Sequence, residues 1–173
     1  MKKTFLTAIA AVLTLVSYAG NPLSVKSGDK KFFKTANGGA ILEINYEGAS
    51  FDDKKPLTEQ FSDIENKTKI SYDGFVEEFT ERNKNVQIVT NPDDAKYKIH
   101  IQVKKVDQFF NVMGFIPGPC IRIWGTLTIS DMSNGNPLLV VDINEIDGGS
   151  SPTPDKAFND TFGELGKRIS KMK

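Results

Sequence analysis

Apolar and polar positions alternate most cleanly over residues 97–103. Tyr97, Ile99, Ile101 and Val103 share one face, and Lys98, His100, Gln102 and Lys104 share the other. That period of two predicts a half-buried strand with one wet face. Residues 121–129 alternate in the same way and are rich in β-branched side chains. Asp131 to Asn136, with Gly135, reads as a hairpin turn, and 138–146 returns as the next strand. Ala40 to Tyr46 and Val86 to Val89 predict two further strands, with Ile41 and Leu42 both apolar. The period changes between them. Tyr72, Phe75, Val76 and Phe79 fall at i, i+3, i+4 and i+7, one stripe of a helix that ends at Asn83-Lys84-Asn85. A last helix is expected over about 155–171, its stripe formed by Ala157, Phe158, Phe162, Leu165 and Ile169. Lys167, Arg168, Lys171 and Lys173 crowd its C-terminal end, where the helix dipole favours cations. Between Phe51 and Lys69 the pattern is ambiguous; Thr58 is a candidate N-cap for a short helix.

The first nineteen residues follow neither period. Lys2 and Lys3 precede an uncharged apolar run from Phe5 to Val16, and Ser17-Tyr18-Ala19 supplies a small-x-small pattern. That is the form of a secretory signal peptide of bacterial type, cut after Ala19. The apolar run is shorter than the ~20 residues of a spanning helix. Gly20 and Asn21 follow the expected cut, and no cysteine stands there to carry a lipid. The expectation is an exported chain in the periplasm or outside the cell, with no transmembrane segment after cleavage. Residues 20–39 are polar and read as a flexible lead, with Phe32 and Phe33 docking it. Residues 40–173 read as a single domain.

Composition narrows the function classes. The chain of 173 residues has 22 basic and 22 acidic side chains, and removal of the leader takes two lysines with it. No basic excess remains to neutralise phosphates, so nucleic acid is not an expected partner. The single cysteine, Cys120, excludes an internal disulfide. It is either a buried inert thiol between Pro119 and Ile121 or a link to another chain.

The order of elements predicts an α/β (α+β) fold: a two-layer sandwich whose mixed, mostly antiparallel sheet of about five strands carries two helices on one face. Three stretches bear a resemblance to known domains. They are Phe75-Val76-Glu77-Glu78-Phe79, Asp94-Ala95-Lys96-Tyr97-Lys98-Ile99, and Gly125-Thr126-Leu127-Thr128-Ile129-Ser130-Asp131 with Gly135, Leu138 and the closing helix. In this pattern the chain resembles uncharacterised exported bacterial envelope domains with a small α/β fold like that of the amino-terminal domain of the Tol-Pal propeller protein and of the curli secretion lipoprotein family. The resemblance implies an envelope domain that binds or assembles with something, and it carries over no functional residue.

Little chemistry accompanies that fold. His100 is the only histidine and sits among polar neighbours, so a Ser-His-Asp or Cys-His site has one candidate base. Zinc sites need several His or Cys ligands, and this chain holds one of each. Asp142, Glu145 and Asp147 form a carboxylate group, but Asp142 and Glu145 are three apart on a strand and are expected on opposite faces. No catalytic residue, metal ligand or cofactor is assigned.

One segment stands apart. Phe109, Phe110, Val112, Met113, Phe115 and Ile116 crowd a connection between two strands, punctuated by Gly and Pro. Connections are ordinarily polar. Either this segment closes over the core as a lid, or it is an exposed contact for a partner or ligand. The second reading makes the protein a non-enzymatic binding or assembly module of the cell envelope, contacting an envelope protein. The alternatives are a carrier of a small hydrophobic ligand or lipid, with the same segment as a pocket wall, and a hydrolase.

Overall fold

The computed structural model describes residues 21–112 and 117–172. The expected leader, residues 1–19, lies outside the described residues. Among the described residues, eight strands and four α-helices follow one another as β1 (Leu23–Gly28), α1 (Phe32–Thr35), β2 (Gly38–Asn45), β3 (Ser50–Phe51), β4 (Lys55–Pro56), α2 (Leu57–Gln60), α3 (Ile64–Arg82), β5 (Val86–Ile88), β6 (Ala95–Asn111), β7 (Gly118–Asp131), β8 (Pro137–Asp147) and α4 (Pro154–Ser170), with one 3-10 turn at Pro92–Asp94 before β6. The sheet runs β1-β8-β7-β6-β2-β5, with β3 joined to β6 and β4 to β3. β1–β8, β8–β7 and β7–β6 are antiparallel pairs, while β2 runs parallel to both β5 and β6, and β3 runs parallel to β6.

The mixed α/β character agrees with the sequence. Eight strands replace the expected five, and four helices replace the expected two on one face. The additions are short or irregular, and such elements leave no periodic trace. β1 and α1 occupy the stretch expected to be a flexible lead. β1 is held by pairing to β8, from Leu23↔Ile143 to Gly28↔Leu139. α1 is a single turn whose Phe32 and Phe33 are buried. Phe32 meets Tyr97 edge-on at 5.1 Å, and Phe33 meets Phe79 at 5.3 Å. α2 starts at Leu57 with Pro56 in the capping position, so Thr58 is not the N-cap.

The core lies between the sheet and the long helices. Ile99, Ile101 and Val103 of β6, Ile121, Ile123, Leu127 and Ile129 of β7, and Leu139, Val141, Ile143 and Ile146 of β8 are buried on one side. α3 contributes Phe75 and Phe79, and α4 contributes Phe158, Phe162, Leu165 and Ile169. α4 begins where the sequence allows it. Thr153 accepts a hydrogen bond from the Lys156 amide at 3.2 Å, and Pro154 fills the first helical position, where no amide partner is needed.

The two long helices touch backbone to backbone. A Cβ at Gly74 of α3 would stand 2.2 Å from the Asn159 carbonyl oxygen of α4. A Cβ at Gly166 of α4 would stand 2.6 Å from the Phe75 carbonyl oxygen of α3. These positions need hydrogen in place of a side chain, which explains two glycines inside helices where each costs about 1 kcal/mol of propensity.

A buried cation ties the helix starts together. Lys67 of α3 is 5% exposed. Its Nζ bonds Asp63 at 2.8 Å and Asp155 of α4 at 2.7 Å, and lies over the rings of Phe61 and Phe158 at 5.7 and 5.9 Å. Burial acts to lower the ammonium's pKa, but hydrogen bonds and charge from Asp155 and Asp63 outweigh it and hold Lys67 above the ordinary lysine value. The Lys67 hydrogen bond in turn holds Asp63 below the usual carboxylate range.

Two predictions follow from this packing. Gly74→Ala gains roughly 1 kcal/mol of helix propensity but drives a methyl into a carbonyl, so a net destabilisation of about 1–3 kcal/mol is expected in urea unfolding. Equal or greater stability in the variant contradicts direct helix contact. In the second, Lys67→Met keeps the apolar stem and deletes the charge. The depressed Asp63 pKa contributes stability above its unfolded value of about 3.9 and loses it as pH falls through the lower folded value. The wild-type advantage over Lys67→Met is therefore expected to be full at pH 7 and to shrink towards pH 3. A gap independent of pH removes the ion pair as its source.

Candidate functional site

β6 and β7 form a hairpin that outruns the rest of the sheet. On one side β2 pairs with β6 only as far as Gln102, and β3 only as far as Val106. Beyond Val106, β6 pairs with β7 alone, through Asp107↔Arg122, Gln108↔Ile121, Phe109↔Cys120, Phe110↔Pro119 and Asn111↔Gly118. On the other side β8 stops at Asp147, opposite Arg122. The Gly148–Ser151 connection then runs beside β7, and the Ser151 amide donates to the Pro119 carbonyl at 3.0 Å.

A β-bulge decides what the arm presents. The β6–β7 register shifts between Val103 and Lys105. Before it the odd-numbered residues face the helices; after it Val106 does, with Gln108 and Phe110 in line. Phe110 thus lies on the core side but beyond the core, and is 64% exposed. Val112, just past the end of β6, is 71% exposed. Phe109 lies on the opposite, open face. Met113, Phe115 and Ile116 lie outside the described residues.

Phe109 is covered by Arg122, whose guanidinium stands 4.0 Å from the ring centroid. Arg122 also reaches Glu145 at 3.2 Å and Asp147 at 3.4 Å. Lys105 lies over the Trp124 ring at 4.6 Å and pairs with Asp53. Hydrogen bonding to Asp53 holds the Lys105 pKa up against the opposing effect of desolvation. The base of the arm is thus a row of cations seated on aromatic rings and neutralised by carboxylates. Glu145 reaches Arg122 because β8 carries its own bulge there, with Glu145 at φ 57°. Asp142, paired with Lys26 at 2.8 Å, and Glu145 therefore lie on the same open face, not on opposite ones.

Cys120 is buried opposite Phe109. Desolvation pushes its thiol pKa up, and the charge of Asp147 adds to the effect, so the thiol is a poor nucleophile. His100 lies on the open sheet face, its Nδ1 3.4 Å from Glu43, which also pairs with Lys98. The Lys98 hydrogen bond holds Glu43 below the usual carboxylate range. His100 and Cys120 occupy register positions 100 and 109 along β6. At about 3.3 Å per residue that separates them by roughly 30 Å, too far for a Cys-His pair. Among the described residues, no group of three or more His, Cys, Asp or Glu is placed to hold a metal ion. No helix among them is long and apolar enough to cross a membrane.

The Arg122–Phe109 and Lys105–Trp124 stacks and the Lys67 cluster escape sequence reasoning, because each joins residues through register or helix packing. The bulge did leave a signal: the buried apolar positions pass from odd to even between Val103 and Val106.

No protein-family model matches this chain, and no curated protein matches it. Solved structures similar to it include a PelC dodecamer from Paraburkholderia phytofirmans, at 12% identity and TM-score 0.45, covering 87% of this chain and 98% of that one. A DUF330 protein from Xanthomonas campestris is similar at 9% identity and TM-score 0.40, covering 82% and 86%. So is a putative neuraminyllactose-binding hemagglutinin homolog from Helicobacter pylori, at 11% identity and TM-score 0.38, covering 79% and 86%. At these values the likeness is one of general chain path and transfers no ligand, activity or assembly. The resemblance to the Tol-Pal and curli domains finds no support in these comparisons.

Proposed function

We propose that this protein is a non-enzymatic module of the bacterial cell envelope that binds an envelope protein through the end of its β6–β7 hairpin. The observation that carries this reading is the exposure of Phe110 and Val112 on an arm that projects past the sheet. Isolated exposed apolar residues are ordinary on protein surfaces. Phe110 is paired with Pro119 on the arm, and Val112 follows just past the end of β6. Their burial against a partner returns about 25 cal/mol per Å² of apolar area. Backbone already held by strand pairing loses little entropy on docking, which favours affinity. The lid alternative requires the same side chains to cover the core, and 64% and 71% exposure speaks against that for Phe110 and Val112. The separation of His100 from Cys120 supports the non-enzymatic reading over a hydrolase.

A photo-crosslinking residue placed at position 110 in intact cells tests the proposal. One discrete crosslinked protein is expected from position 110 and none from position 133, in the turn at the other end of β7. The double variant Phe110→Ser with Val112→Ser is expected to keep the wild-type melting temperature and to lose co-purification of that protein. Equal crosslinking at both positions, or co-purification unchanged in the double variant, overturns the reading.

A further inference from the structure

A second feature lies away from the hairpin arm and is independent of that reading. The N-terminal end of α4 lies near the arm, through Ser151 and Pro119. Its C-terminal end, 17 residues on, is about 25 Å away. There a cavity of about 490 Å³ opens between the last turn of α4 and the edge strand β1. That volume lies within the range of cavities that hold small molecules, roughly 300–1,000 Å³.

The lining divides by chemistry. Leu23 and Val25 of β1 and Met172 after α4 provide an apolar wall, with Val25 37% exposed. Lys30, Arg168 and Lys171 provide three cations. Arg168 is engaged by Glu164, its Nε 2.8 Å from that carboxylate. The side chains of Lys30 and Lys171 have no ion pair or hydrogen bond among the described residues. Elsewhere most cations of this surface are matched: Lys26 with Asp142, Lys69 with Asp73, Lys156 with Asp160, and Lys167 with Glu164. A helix C-terminus favours nearby cations, which accounts for Lys171 and Arg168. It does not account for Lys30, which comes from the β1–α1 connection and is brought to the same mouth by the sheet.

We propose that this cavity binds an amphipathic anion: an alkyl chain lying along Leu23, Val25 and Met172, with a carboxylate held by Lys30 and Lys171. The wall removes the chain from water, and the two unpaired ammonium groups give the headgroup charge-assisted hydrogen bonds. The same chemistry with a phosphate headgroup is distinguished by experiment.

The test is calorimetric titration of the chain with dodecanoate below its micellar concentration, with dodecyl phosphate and dodecyltrimethylammonium in parallel. One dodecanoate per molecule is expected, with no binding of the cationic amphiphile. Lys30 and Lys171 are both exposed, so Lys30→Ser with Lys171→Ser is expected to keep the wild-type melting temperature. That double variant is expected to weaken dodecanoate binding at least tenfold. Lys167→Ser, at the same helix end but paired with Glu164 and outside the cavity, is expected to change it less than twofold. Val25→Asp is expected to abolish it. Tighter binding of dodecyl phosphate assigns the headgroup as phosphate and overturns the carboxylate. Absence of binding, equal binding of the cationic amphiphile, or equal weakening by Lys167→Ser overturns the site.

Discussion

The close approach of α3 and α4 is the constraint on which the rest of this structure depends. With Gly74 and Gly166 at the crossing, helix backbones meet where side chains would otherwise hold them apart. The pair can then sit as one layer over the sheet, with Phe75 stacked on Phe79 at 5.4 Å and Phe158 and Phe162 completely buried. α4 is seated on the strands by the same means. The Thr161 hydroxyl donates to the Ile121 carbonyl at 2.8 Å, and a Cβ at Gly148 would collide with the Asp160–Thr161 peptide. Because α4 is fixed on both sides, its two ends are fixed as well. One end supports the strand that carries the hairpin arm, and the other forms the mouth of the cationic cavity.

Lys67 illustrates how polarity is admitted at the helix starts. A buried ammonium is costly unless it is paired and hydrogen-bonded. Two half-exposed carboxylates and two aromatic faces meet that need: Asp63 and Phe61 come from the α2–α3 connection, Asp155 and Phe158 from α4, and α3 supplies Lys67 itself. The arrangement therefore specifies how three segments meet.

The arm owes its character to a single extra residue. Without the bulge between Val103 and Lys105, strict alternation along β6 would put Phe109 on the core side and Phe110 on the open face. With it, Phe109 receives Arg122, and Phe110 is left exposed above the core's edge. The open face beside it is polar and self-neutralised, so the exposed apolar side chains at the arm's end stand out against it.

Much of this was legible in the residues. Period-two runs marked β6, β7 and β8, and period-three-and-four stripes marked α3 and α4, because those elements bury one face and periodicity records which side is dry. The unusual apolar content of residues 109–116 was equally plain. The number of strands was not, since β1, β3 and β4 are short and owe their conformation to neighbours. The pairing of Arg122 with Glu145 and Asp147 was hidden by a bulge that turns Glu145 to the open face. The meeting of Lys30 with Lys171, some 140 positions apart, was likewise out of reach. Sequence by itself determined which segments are amphipathic, because that property is local. Tertiary structure decided register, bulge and helix approach, and with them which side chains meet, because those depend on contacts between residues far apart in the chain.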